Sequence, residues 1–152
     1  MGLFSKLTSL IGNSKQPQAV PNPLPPAPPK KILIVEDDKD IRDSYSELLS
    51  SEGYTVITAE NGQAGLDAVT SQKPNVVMLD LMMPIMDGKT MLHLMRQIPE
   101  FKKTPVIVLT NAGDAENIRD TKFFDNANDF LVKANTAPDE ILNKIRTFAS
   151  LS

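Results

Sequence analysis

The chain has 152 residues with 16 Lys and Arg, 19 Asp and Glu and no Cys, enough for one domain with a modest extra segment. Without Cys, disulfides, thiolate metal sites and cysteine nucleophiles are excluded. Residues 1–30 hold Lys6, Lys15 and Lys30 and no acid, so the other 13 basic residues face all 19 acids within residues 31–152, a formal −6. That balance, without a basic stripe, argues against direct nucleic-acid binding. No apolar run approaches the ~20 residues of a transmembrane helix and no secretion signal opens the chain, so a cytoplasmic location is expected.

Residues 1–16 read as a short amphipathic tail, because Leu3, Phe4, Leu7, Leu10 and Ile11 recur at helical spacing among polar neighbours. So short a segment is not a stable helix alone. It is expected to order against another surface and tether the chain there. A protein groove is favoured over a membrane, since only Lys6 and Lys15 are basic beside the stripe. Residues 17–30 form a linker, with seven Pro between 17 and 29. Such a composition favours an extended polyproline II spacer, reaching on the order of 40 Å at ~3.1 Å per residue.

From residue 31 to 152, strands and helices alternate. Apolar runs at 32–35, 54–59, 76–79, 106–109 and 130–132 predict five strands. Between them, Ile41, Tyr45, Leu48 and Leu49 mark a helix that stops near Gly53, and Ala64, Leu66, Ala68 and Val69 mark one over 61–71. Met91, Leu94, Met95 and Ile98 mark the face of a helix over 88–97. A weakly patterned fourth helix follows over 114–124, with Asn126 as its left-handed cap. Ile141, Leu142, Ile145, Phe148 and Ala149 mark the last, over 139–149. Five βα units imply a doubly wound parallel sheet with right-handed crossovers.

The strand ends carry the chemistry. Glu36 and Asp37 follow the first strand, Asp80 the third, Thr110 the fourth and Lys133 the fifth. In an open parallel sheet, reacting groups gather outside the carboxyl ends of the strands. Carboxylates held together repel, and hard oxygen ligands without His or Cys point to Mg²⁺, with Mn²⁺ as a substitute. A hydroxyl and a Lys beside a carboxylate nucleophile complete what a transferring phosphoryl group needs, so an aspartyl phosphate on Asp80 is expected. No P-loop or Gly-rich ATP signature occurs, so the donor is another molecule. Residues 81–88 form a loop stiffened by Pro84 and closed by Gly88. Asp38, one place beyond the acidic pair, reads as the N-cap of the first helix.

In order, Ile32-Leu33-Ile34-Val35-Glu36-Asp37-Asp38, Asp80-Leu-Met-Met-Pro-Ile-Met-Asp-Gly88, Leu109-Thr110 and Phe130-Leu131-Val132-Lys133 resemble the receiver domains of two-component response regulators. The resemblance covers about residues 31–148. It implies an α/β, flavodoxin-like (βα)5 fold with strand order 2-1-3-4-5, preceded here by a flexible tail. It makes Asp80 the phosphoacceptor and gives Glu36, Asp37, Asp80 and the Met82 backbone carbonyl to the metal. Thr110 would bond the phosphoryl group, Lys133 would pair with it, and Thr110 with Phe130 would form the switch.

Function follows from the same resemblance: a single-domain response regulator that takes its phosphoryl group from a histidine kinase or phosphotransfer protein. Its output would be phosphorylation-dependent protein binding through the fourth helix, fifth strand and fifth helix. Such a chain is a signalling phosphoacceptor rather than an enzyme, with at most self-catalysed phosphorylation and dephosphorylation. Two other readings exist. A degenerate receiver serving as a constitutive interaction module sits poorly with intact Glu36, Asp37, Asp80, Thr110 and Lys133. A small Mg²⁺-dependent phosphatase would want a second acid near Asp80, where Leu81 and Met82 stand.

Two positions depart from the family pattern. Asn111 stands where a small residue is usual, and Ala134 replaces the Pro that commonly follows the Lys, removing the usual basis for a cis bond. Met82 and Ala112 lie where receivers flank the attacking water, and neither side chain can orient it, so slow self-dephosphorylation is expected. His93 reads as a surface residue, and Met82, Met83, Met86, Met91 and Met95 as adaptable packing.

Overall fold

The computed structural model describes residues 26–111, 113–114 and 126–152. Strands β1 (Lys31–Val35), β2 (Thr55–Ala59), β3 (Val76–Asp80), β4 (Val106–Thr110) and β5 (Asp129–Val132) pair in parallel in the order β2-β1-β3-β4-β5. That is the doubly wound order expected. Helices α1 (Lys39–Ser51), α2 (Gly62–Gln72), α3 (Gly88–Gln97) and α4 (Pro138–Ala149) cover its faces.

Apolar residues at consecutive positions of β1, β3 and β4 divide between the two faces, as a period of two requires. Leu33, Val35, Val77, Leu79 and Val108 pack with Val69, Met91, Leu92 and Met95 of α2 and α3. Ile32, Ile34, Met78, Ile107 and Leu109 pack with Tyr45, Leu49, Ile141 and Ile145 of α1 and α4. Each of these three strands therefore has helices on both sides, whereas the edge strands β2 and β5 are partly exposed.

Side-chain caps start three of the helices. Asp38 accepts from the backbone N–H groups of Asp40 (2.9 Å) and Ile41 (3.1 Å), Asn61 from Ala64 (2.9 Å) and Asp87 from Thr90 (2.7 Å). Such caps are worth ~1 kcal/mol each. Gly53, at φ +89°, turns the chain out of α1 towards β2.

Three side chains depart from the sequence reading. Leu92, outside the expected face, is fully buried in α3, whereas Leu94, expected inward, is half-buried. In α2 Gly65 points inward, and a Cβ there would come within 2.7 Å of Met91 Sδ and 2.9 Å of Val35. Met82 is not packing at all: it is 71% exposed. The fourth helix expected over 114–124 lies mostly, and Ala112 and residues 1–25 wholly, outside the described residues; Asn126 itself is described, but the helix it was expected to cap is not. No described helix is long and apolar enough to cross a membrane.

Candidate functional site

At the carboxyl edge of the sheet β1, β3, β4 and β5 end side by side, so Glu36, Asp80, Thr110 and Lys133 converge although 97 positions separate the first from the last. Lys133 Nζ lies 2.7 Å from Glu36 Oε2 and 3.1 Å from Asp80 Oδ1. The Lys133 backbone N–H donates to the Thr110 carbonyl (2.8 Å), which fixes these two strand ends together. Glu36, Asp37 and Asp80 each offer a carboxylate oxygen, all within 4.8 Å of one another. Glu36, Asp80 and Thr110 are buried, whereas Asp37 is exposed.

Burial dominates the electrostatics. It pushes the Glu36 carboxyl up to about 7, against the Lys133 hydrogen bond and with help from the Asp80 charge. Asp80 is raised for the same reason, again opposed by Lys133. Asp37 moves down, because hydrogen bonds with Asp80 and Glu36 outweigh its slight burial. For Lys133, burial is outweighed by the two carboxylates, and its ammonium is held charged. Three carboxylates against one ammonium leave negative charge in excess. An all-oxygen donor set so placed suits a hard divalent cation, which would supply the missing positive charge.

Two buried oxygens at the rim, Glu36 Oε2 and Thr110 Oγ1, have no hydrogen bond among the described residues. Glu36 Oε2 has its ion pair with Lys133, whereas the Thr110 hydroxyl has no partner of either kind among them. It lines a cleft of about 220 Å³ with Asp80, Met82, Asp87, Lys89 and Asn111. Phe130, opposite Val108 in the β4–β5 register, is half-buried against the α2–α3 side of the core.

The loop after β3 is held from three directions. Gly88 N–H donates to Leu81 O (3.0 Å), and a Cβ on Gly88 would lie 2.1 Å from the Asp80 carbonyl, so only Gly closes the loop here. Gly62 N–H donates to Met86 O (2.9 Å), tying the loop to the start of α2. Met82 N–H donates to Asp80 Oδ1 (3.3 Å) and so orients the carboxylate. Between these ties Ile85 takes φ +70°, uncommon for a β-branched residue, and is 84% exposed.

Sequence reasoning passes over Arg42, whose guanidinium donates to the carbonyls of Glu36 (2.7 Å) and Asp37 (3.3 Å) and pins the acidic loop. Its position four places after the Asp38 cap was the available signal. Among the described residues no peptide bond is cis, and Lys133 reaches both carboxylates with Ala134 following it. His93 is exposed and contacts only Gln97 on its own helix (2.8 Å).

Residues 32–146 match the family model described as the response regulator receiver domain. The chain belongs to that family. It is 36% identical over 118 residues to the response regulator MprA of Mycolicibacterium vanbaalenii, covering 78% of this chain and 49% of MprA. It is 40% identical over 93 residues to sporulation initiation phosphotransferase F of Bacillus subtilis, covering 61% of this chain and 73% of that protein. Among solved structures it resembles chemotaxis response regulator CheY4 of Vibrio cholerae, with a TM-score of 0.71 and 28% identity, over 79% of this chain and 98% of CheY4. The chain spans about half the length of the MprA response regulators it matches.

Proposed function

We propose that this receiver accepts a phosphoryl group on Asp80 from a phosphohistidine of a histidine kinase or phosphotransfer protein, and signals by phosphorylation-dependent protein binding. The observation that supports the reading is the contact of Lys133 with Glu36 and Asp80, which sets the Asp80 carboxylate beside a cation and within an acidic cluster suited to Mg²⁺. An Asp80 oxygen attacks phosphorus, the P–N bond breaks and the imidazole leaves with the electron pair. Mg²⁺, held by Glu36, Asp37, Asp80 and the Met82 carbonyl, would supply positive charge to the developing phosphoryl oxygens when bound. Lys133 then pairs with the phosphoryl group instead of sharing two carboxylates.

Thr110 carries the response. Its unsatisfied buried hydroxyl gains a partner when a phosphoryl oxygen arrives, so phosphorylation favours the conformation in which Thr110 turns towards Asp80. Phe130 moves into the space released, and the change spreads over β5 and α4. The exposed Met82 side chain shields the aspartyl phosphate from water, which slows its hydrolysis.

The proposal is tested by incubating the protein with acetyl phosphate. Stoichiometric labelling is expected with Mg²⁺ or Mn²⁺ and none with chelator. Labelling that persists in chelator contradicts it.

A further inference from the structure

The amino edge of the sheet, opposite the acidic site, gathers lysines that lie far apart in sequence. Lys30 and Lys31 open β1, Lys73 caps α2 just before β3, and Lys102 and Lys103 precede β4. Contacts tie them to one surface. Lys31 Nζ donates to Gln72 O (3.1 Å), Lys30 Nζ to the backbone oxygen of Ser152 (2.5 Å), and Lys73 pairs with Glu100 (2.7 Å). A shallow depression of about 340 Å³ among them is lined by Pro74, Glu100, Lys103, Pro105, Phe148 and Leu151. Leu151 is 76% exposed, the one large apolar side chain so exposed at this edge among the described residues.

The described acids here are already engaged: Glu52 with Arg146 (2.8 Å), Glu100 with Lys73 (2.7 Å) and Asp129 with Lys144 (2.6 Å). Lys31, Lys102 and Lys103 have no acidic partner among the described residues, whereas Lys30 is engaged by the Ser152 oxygen. Among the described residues the sheet is thus polarised, with carboxylates at one end and ammonium groups free of acidic partners at the other.

We propose that this lysine edge and the N-terminal segment together dock on an anionic lipid bilayer. The Pro-rich linker joins the receiver at Lys30, on this edge, and carries Leu3, Phe4, Leu7, Leu10 and Ile11 with Lys6 and Lys15. Stable attachment to a membrane takes two signals, such as an apolar insertion and a basic surface. The tail alone has the first and too little of the second, which is why a protein groove seemed the better partner from sequence. Parallel topology supplies the second. At roughly fivefold in affinity per basic residue near an anionic surface, Lys31, Lys102 and Lys103 strengthen the attachment by on the order of a hundredfold. Docked this way, Glu36, Asp37 and Asp80 face away from the negative bilayer, clear of it for phosphotransfer.

The test is sedimentation of the full chain with vesicles of phosphatidylcholine alone or with about one third phosphatidylglycerol, at low and high salt. Binding is expected to the anionic vesicles only, and to weaken at high salt. Lys102→Gln with Lys103→Gln should weaken it by on the order of 20-fold, and Leu7→Glu should abolish it, both with an unchanged melting temperature. Equal binding to neutral vesicles, or indifference to the lysine pair, overturns the basic edge as a lipid surface. No binding to either vesicle overturns the proposal outright and returns the tail to a protein partner.

Discussion

The two halves of the acidic rim are buried alike but satisfied differently. On the β1–β3–β5 side, Lys133 pairs with both Glu36 and Asp80 within 3.1 Å. On the β4 side, the Thr110 hydroxyl is just as enclosed and pairs with nothing among the described residues. A buried hydroxyl left bare costs ~1–3 kcal/mol. The first half is therefore set before any ligand arrives, while the second is held away from its best arrangement. Under the proposed function, one side binds charge and the other responds to it.

Breaking the satisfied half should have the larger effect. Lys133→Ala leaves Glu36 and Asp80 buried without their cation and is expected to lower stability by ~3–5 kcal/mol in the absence of metal. Saturating Mg²⁺ should recover much of that, by binding only the folded state; denaturant titrations with and without Mg²⁺ measure both. If the loss is below ~1 kcal/mol, the ion pair is not holding the rim. Asp37→Ala should be milder. Its side chain is exposed, so the fold is expected to keep its stability while Mg²⁺ affinity falls by on the order of tenfold or more in a calorimetric titration.

The unsatisfied half yields the smallest change in stability and the most specific one. Thr110→Val keeps the shape and removes the bare hydroxyl, so stability should stay within ~1 kcal/mol of the parent and move upward if at all. The amide shifts of β5 and α4 should then no longer follow phosphorylation of Asp80. A marked loss of stability would show that Thr110 has a partner after all, and the comparison of the two halves would fail.

The strands were legible because continuous apolar runs end on polar residues, and a parallel sheet sends those ends to one edge. Strand order came from the family resemblance, since no run of residues states which strand lies beside which. Gly65 was not legible as a core contact because a residue without a side chain gives no apolar signal; Val35 and Met91 press on it from other elements. Met82 follows the apolar pattern of its neighbours, and only the tied loop shows that it turns outward. The lysine edge was equally hidden. Lys30, Lys31, Lys102 and Lys103 form no cluster in the sequence and become one surface through the crossovers.

The central claim is that Asp80 is the nucleophile. The most direct measurement is borohydride reduction of acetyl-phosphate-treated protein in Mg²⁺, which converts an aspartyl phosphate to homoserine, followed by peptide mass mapping. Homoserine is expected at position 80 and nowhere else, with no product from Asp80→Asn. Conversion at Asp37 or another carboxylate in the parent protein, or stoichiometric product from Asp80→Asn, would contradict the account.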